Sequence, residues 1–136
     1  MSILKEEKIQ SSMQGLCDNV LGLENVRFAG LISDSGNLYA GGFKGETIPM
    51  VSDKNRQMMY MRFALESSFR SDFDDSFGAF RCSTIQREKT SIITINICSY
   101  ILLVFTEPKI DLQNKVKEIQ NIIDNGKRNF LNNLFY

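Results

Sequence analysis

Ile9, Met13, Leu16 and Val20 recur at spacings of four, three and four residues, so the segment 3–21 reads as one amphipathic helix. Lys5, Glu6, Glu7 and Lys8 fall in its first turns on the solvated side, and Gly22 is its stop. The pattern then changes. In VRFAGLISDSGNLYAGGFK, residues 26–44, two strand-like runs flank the turn formers Asp34-Ser35-Gly36-Asn37, the mark of a β-hairpin. Val26, Phe28, Gly30 and Ile32 share one face of its first strand; Arg27, Ala29, Leu31 and Ser33 share the other. The small residues Ala40, Gly41 and Gly42 allow close packing or a bulge in the second strand.

A loop ending in Pro49 leads to a second helix, capped by Ser52 or Asp53 and running to about Phe69. Met58, Met61, Leu65 and Phe69 line one of its faces. Met59 and Phe63 lie roughly 100–140° round, at ~100° per residue, and Tyr60 and Ala64 widen the apolar surface further. A helix packed on a sheet needs one stripe; this one carries enough for a second buried surface. The polar connection SDFDDSFG follows. Segments 78–86, 91–98 and 100–106 read as three strands, with Arg87-Glu88-Lys89 as a turn. The last two, rich in Ile, Leu and Val, belong at the sheet centre. Asp111 caps a final helix with the stripe Leu112, Val116, Ile119 and Ile123, and Asn125-Gly126 ends it. Phe130, Leu131, Leu134 and Phe135 keep helical spacing in the tail.

The expected order is α-β-β-α-β-β-β-α: an α+β fold with a five-stranded antiparallel sheet flanked by helices. It forms one domain over residues 1–126, followed by a C-terminal tail, 127–136, that is itself helical in pattern. A chain of 136 residues supports one such core without staples. Composition narrows the partners. Sixteen basic and sixteen acidic side chains leave no net charge, so there is no overall basic footprint for nucleic acid. No apolar run is long enough to span a membrane, and the N-terminus lacks the form of a secretory signal. Cys17, Cys82 and Cys98 form no paired motif, consistent with reduced, mostly buried thiols in a cytoplasmic protein.

Candidate chemistry is sparse. The chain has no histidine, which removes the commonest general base and transition-metal ligand. Cys82 and Cys98, placed inside strands without an activating group, read as buried structural thiols. Asp72, Asp74 and Asp75 fail as a calcium loop: Phe77 stands where a glycine is needed and Ser83 where the closing glutamate belongs. Gly41-Gly42-Phe43-Lys44-Gly45 lacks the spacing of a phosphate loop. Asp34 and Asn37 read as turn residues that tolerate unusual backbone angles. Lys109, Lys115, Lys117, Lys127 and Arg128 make the C-terminal region locally basic and read as a solvated face. No metal or cofactor is expected, and no enzymatic activity.

The element order, with the hairpin segment SDSGNLYAGG, resembles the roadblock/dynein-light-chain domain, particularly its small stand-alone archaeal members. The resemblance covers nearly the whole chain as a pattern of elements. It departs at Met58, Met59, Met61 and Phe63, where family members often carry small residues. The resemblance implies a non-catalytic homodimeric scaffold or regulator, with a small GTPase or another protein as partner. It implies a dimer interface at Met59, Phe63, Phe80, Cys82 and Thr84. The other reading of Met59, Tyr60 and Phe63 is ordinary core. The alternative function is a small-molecule-sensing domain of the PAS or profilin-like class, which a pocket of ~300 Å³ or more would favour.

Overall fold

The computed structural model describes residues 3–45 and 50–135, without the side chains of Ile3, Lys5 and 129–135. The expected loop through Pro49 and the tail side chains from Phe130 to Phe135 lie outside that range. The elements are α1 (Ile3–Leu21), β1 (Val26–Ile32), β2 (Leu38–Phe43), α2 (Asp53–Ser71), α3 (Asp74–Phe77), β3 (Cys82–Gln86), β4 (Ser91–Ile97), β5 (Tyr100–Thr106) and α4 (Leu112–Phe135). The strands form one antiparallel sheet in the order β2-β1-β5-β4-β3. The Ile- and Leu-rich β4 and β5 are interior strands, as expected, while β2 and β3 are the edges.

The sheet buries both faces. On one, Cys17 and Val20 of α1 and Ile119 and Ile123 of α4 pack with Ala29, Leu31, Ile93, Leu102 and Val104. On the other, Tyr60 and Ala64 of α2 pack with Phe28, Ile32, Leu103 and Phe105. Successive strand residues therefore enter different clusters, as the pleat requires. Val26 breaks the simple alternation expected for β1. Two residues, Arg27 and Phe28, span one step of β5, and this bulge sends Val26 to the α1/α4 side while Phe28 faces α2.

Of the apolar faces of α2, the sheet takes the one opposite the Met58, Met61, Leu65 and Phe69 stripe. Tyr60 and Ala64 meet the sheet, and the stripe is exposed. Three contacts favour this setting. Tyr60 stacks on Phe28 at 6.2 Å between ring centroids. Ser67 donates to Oδ1 of Asn96 on β4 at 3.4 Å. Gly36, in the β1–β2 turn, lies directly beneath α2: a Cβ there would come within 2.6 Å of the Met61 Cα. Gly36, with φ at 84°, is the turn residue in the left-handed region; Asp34 and Asn37 are not.

α1 ends at Leu21 before Gly22, as expected. α4 begins as expected, with the Asn114 N–H donating to the Asp111 carboxylate at 3.1 Å. It does not stop at Asn125-Gly126 but continues to Phe135. Gly126 serves as a small residue where α4 meets α1, since a Cβ there would lie 3.3 Å from Cδ1 of Leu16. Lys115 is buried instead of solvated; its ammonium donates to the Glu24 carbonyl at 2.8 Å and to Glu118 at 3.1 Å. The polar connection after α2 contains the short helix α3, and β3 starts at Cys82, four residues later than expected at Gly78.

Candidate interaction site

The residues expected at a dimer interface are only partly together. Met59 and Phe63 are half-buried on the flank of α2 that overlooks β3, and they line a common cleft with Ile85. Phe80 lies before β3, beneath the Arg70 guanidinium at 5.2 Å. Cys82 and Thr84 are exposed on the edge strand and pair with Ile95 and Ile93, which face α1 and α4. Residues directly opposite in an antiparallel ladder share a face, so Cys82 and Thr84 point away from α2. Residues 78–81, expected as the start of this strand, are not strand, so Phe80 does not alternate in register with Cys82 and Thr84. The exposure of Cys82 and Cys98 also corrects their reading as buried thiols; Cys98 lies in the β4–β5 turn with φ at 55°.

The larger apolar surface is on the back of α2. Met58, Met61, Leu65 and Phe69 are each between 56% and 64% exposed. Phe73 and Phe77 are exposed just beyond, with ring centroids 6.1 Å apart. Asp74, within the acidic cluster, is occupied structurally, accepting the Phe80 N–H at 3.1 Å. Among the described residues, no group of three or more His, Cys, Asp or Glu side chains is placed to hold a metal ion. No described helix is long and apolar enough to cross a membrane.

Between α2 and the sheet opens a cleft of about 770 Å³. Phe43, Met59, Phe63, Ile85, Ile92 and Phe105 supply apolar walls. Cations come from separate elements: Arg27 from β1, Arg56 and Arg62 from α2, and Arg87 and Lys89 from the β3–β4 turn. Arg27 donates to the Lys89 carbonyl at 2.7 Å and pairs with Glu107, tying the turn to β1. Arg56 pairs with Asp53, donates to the Val51 carbonyl at 3.2 Å and sits 5.4 Å from the centre of the Phe43 ring.

The shifted titrations all move away from neutrality. The hydrogen bond from Arg27 holds the Glu107 carboxyl below its usual range. Burial pushes the Tyr60 phenol up, against the opposing charge of Arg56. Burial also pushes the Cys17 thiol up to about 12. None of these three groups is poised as an acid or base near pH 7.

The sheet order, the two-helix layer and the single opposing helix define a roadblock-like α+β fold. Solved structures agree. A Roadblock/LC7 domain from Streptomyces avermitilis superposes with a TM-score of 0.64 at 12% identity, covering 87% of this chain and 97% of its own. MglB from Myxococcus xanthus gives 0.66 at 13% identity, covering 89% and 91%. Profilin II of Acanthamoeba castellanii gives 0.54 at 19% identity, covering 82% and 94%. By sequence, residues 5–133 match a family of unknown function, DUF6659, and the chain belongs to that family. No curated protein matches it.

Proposed function

We propose that the chain is a non-catalytic interaction module that pairs with a second copy through α2 and the β3 edge. The observation that carries this reading is the second apolar face of α2. The helix already buries Tyr60 and Ala64 on the sheet, yet leaves Met58, Met61, Leu65 and Phe69 in solvent. Contiguous apolar surface on a helix marks a contact with another protein. β3 adds an unpaired strand edge, which a symmetric copy can satisfy. Met59, Phe63, Phe80, Cys82 and Thr84 are the seam residues in this arrangement; edge-to-edge pairing of β3 brings side chains from both sheet faces to it. The roadblock resemblance supports a small GTPase or a signalling assembly as the further partner. A roadblock-like relative described as MglB with tetrameric arrangement, at 17% identity and a TM-score of 0.61, supports assembly in this fold.

The test is sedimentation. The wild-type chain should run as a dimer, and Phe63→Glu should run as a folded monomer. A wild-type chain that stays monomeric at high micromolar concentration overturns the reading.

A second reading, ligand sensing, is favoured by one observation, the cleft of about 770 Å³ beside α2. It falls within the volume range of small-molecule sites, roughly 300–1,000 Å³.

A further inference from the structure

We infer that the cleft between α2 and the sheet binds a monoanionic amphiphile: a carboxylate or sulfonate head on an aliphatic or aromatic body. The inference deepens the second reading above; the cleft shares Met59 and Phe63 with the proposed seam, so ligand uptake and oligomeric state are read separately in its test.

Charge selects the head. The chain as a whole is neutral, but five cations and two acids, Glu66 and Glu88, line this cleft. Arg27 and Arg56 are compensated from outside it, by Glu107 and Asp53. Arg62, Arg87 and Lys89 then face Glu66 and Glu88, three positive charges against two negative, an excess of one. That balance matches a single negative charge better than a polyphosphate, which needs several uncompensated cations or a metal.

The walls select the body. Phe43 packs against Phe28 at 4.7 Å between centroids, and Phe28 against Phe105 at 5.1 Å. The aromatic floor is therefore rigid and continuous with the core. Met59 forms an adaptable side wall, as an unbranched thioether can. Arg27 and Arg56, held by the Lys89 and Val51 carbonyls and paired with Glu107 and Asp53, fix the frame of the cleft and leave Arg62, Arg87 and Lys89 as the cations for the head. Mostly apolar walls with a few placed polar groups are the usual composition of a small-molecule site.

Titration of decanoate into the isotopically labelled full chain, followed by backbone amide shifts, tests the assignment. Saturable binding at one site is expected, with the largest shifts at Phe43, Thr90, Ile92 and Phe105. The triple variant Arg62→Gln, Arg87→Gln, Lys89→Gln should stay folded, because all three side chains are exposed, and should bind at least tenfold more weakly. Decyltrimethylammonium should bind at least tenfold more weakly to the wild type. Three results would each overturn the inference: no saturable shifts, shifts centred on Met58 and Leu65 on the back of α2, or equal affinity for the cationic amphiphile. Sedimentation of the same samples separates the two readings. A dimer that does not take up decanoate removes only the cleft assignment; a monomer that does removes only the dimer.

Discussion

Gly36 combines two demands at one position. Its φ of 84° lies in the region that side chains rarely adopt, and its missing Cβ is the space through which Met61 of α2 passes. The clash in Gly36→Ala is with backbone atoms, so no side-chain rotation relieves it. Strain and overpacking together should cost ~2–4 kcal/mol, read as a lower urea midpoint. Gly42→Ala places its Cβ in open space and should change stability by less than about 1 kcal/mol. Equal effects at the two positions would show that α2 does not rest on the turn. Cys17 makes a second prediction, on pH. Burial raises its folded pKa from an ordinary 9.0 to about 12. Above pH 9 the unfolded thiol loses its proton while the folded one keeps it, so the unfolded state is favoured as pH rises. The contribution is complete below pH 9 and falls by about 1.4 kcal/mol per unit between the two values. Tyr60 shifts in the same direction, so the comparison with Cys17→Ala isolates the thiol. Between pH 8 and 10.5 the wild type should lose about 2 kcal/mol more unfolding free energy than the variant. Parallel curves would contradict the assignment.

Among the elements, α4 offers the sharpest contrast between pattern and structure. Asn125-Gly126 reads locally as a helix end, yet the helix passes through it and uses Gly126 for its approach to Leu16. A glycine inside a helix costs about 1 kcal/mol relative to alanine, and among the described residues the close neighbour of an added Cβ is the flexible end of Leu16. Gly126→Ala should therefore stabilise the protein by roughly 0.5 kcal/mol. At a left-handed cap the same change would destabilise by a similar or larger amount, so the sign of the shift in urea midpoint decides. The order of helices and strands and the central places of β4 and β5 were legible because each follows from local periodicity. The setting of α2 was not. With methionine, phenylalanine, leucine or tyrosine on more than one side, more than one stripe fits the helical period. The choice between them rests on Gly36, Phe28 and Asn96, which are distant in sequence. Of the residues proposed for the interface, local spacing reaches only the placement of Met59 and Phe63 on one flank of α2. Phe80 lies outside β3, so it shares no strand alternation with Cys82 and Thr84. The cleft has no local signature at all, since its cations come from β1, α2 and the β3–β4 turn and meet only in the fold.

For the whole molecule, the two readings of function make different demands on stability. A ligand site in the monomer leaves unfolding unimolecular, and the melting temperature is then independent of protein concentration in the absence of ligand. A dimer sealed through α2 couples folding to association, so mass action makes the melting temperature rise with concentration. The size of that rise follows from the entropy of unfolding, about 2.1 cal/mol/K per residue near 60 °C. Two chains of 136 residues then unfold together with an entropy of about 0.6 kcal/mol/K. A tenfold increase in concentration adds about 1.4 kcal/mol, so it should raise the melting temperature by about 2–3 °C. Phe63→Glu should abolish the dependence, and its melting temperature should match the low-concentration limit of the wild type, less whatever the substitution costs the monomer. Scanning calorimetry between 5 and 500 µM spans about two decades and makes the expected rise about 5 °C. A wild-type melting temperature that is flat across that range would place the apolar back of α2 in solvent in the free protein, and the scaffold reading would then need a partner other than a second copy of this chain.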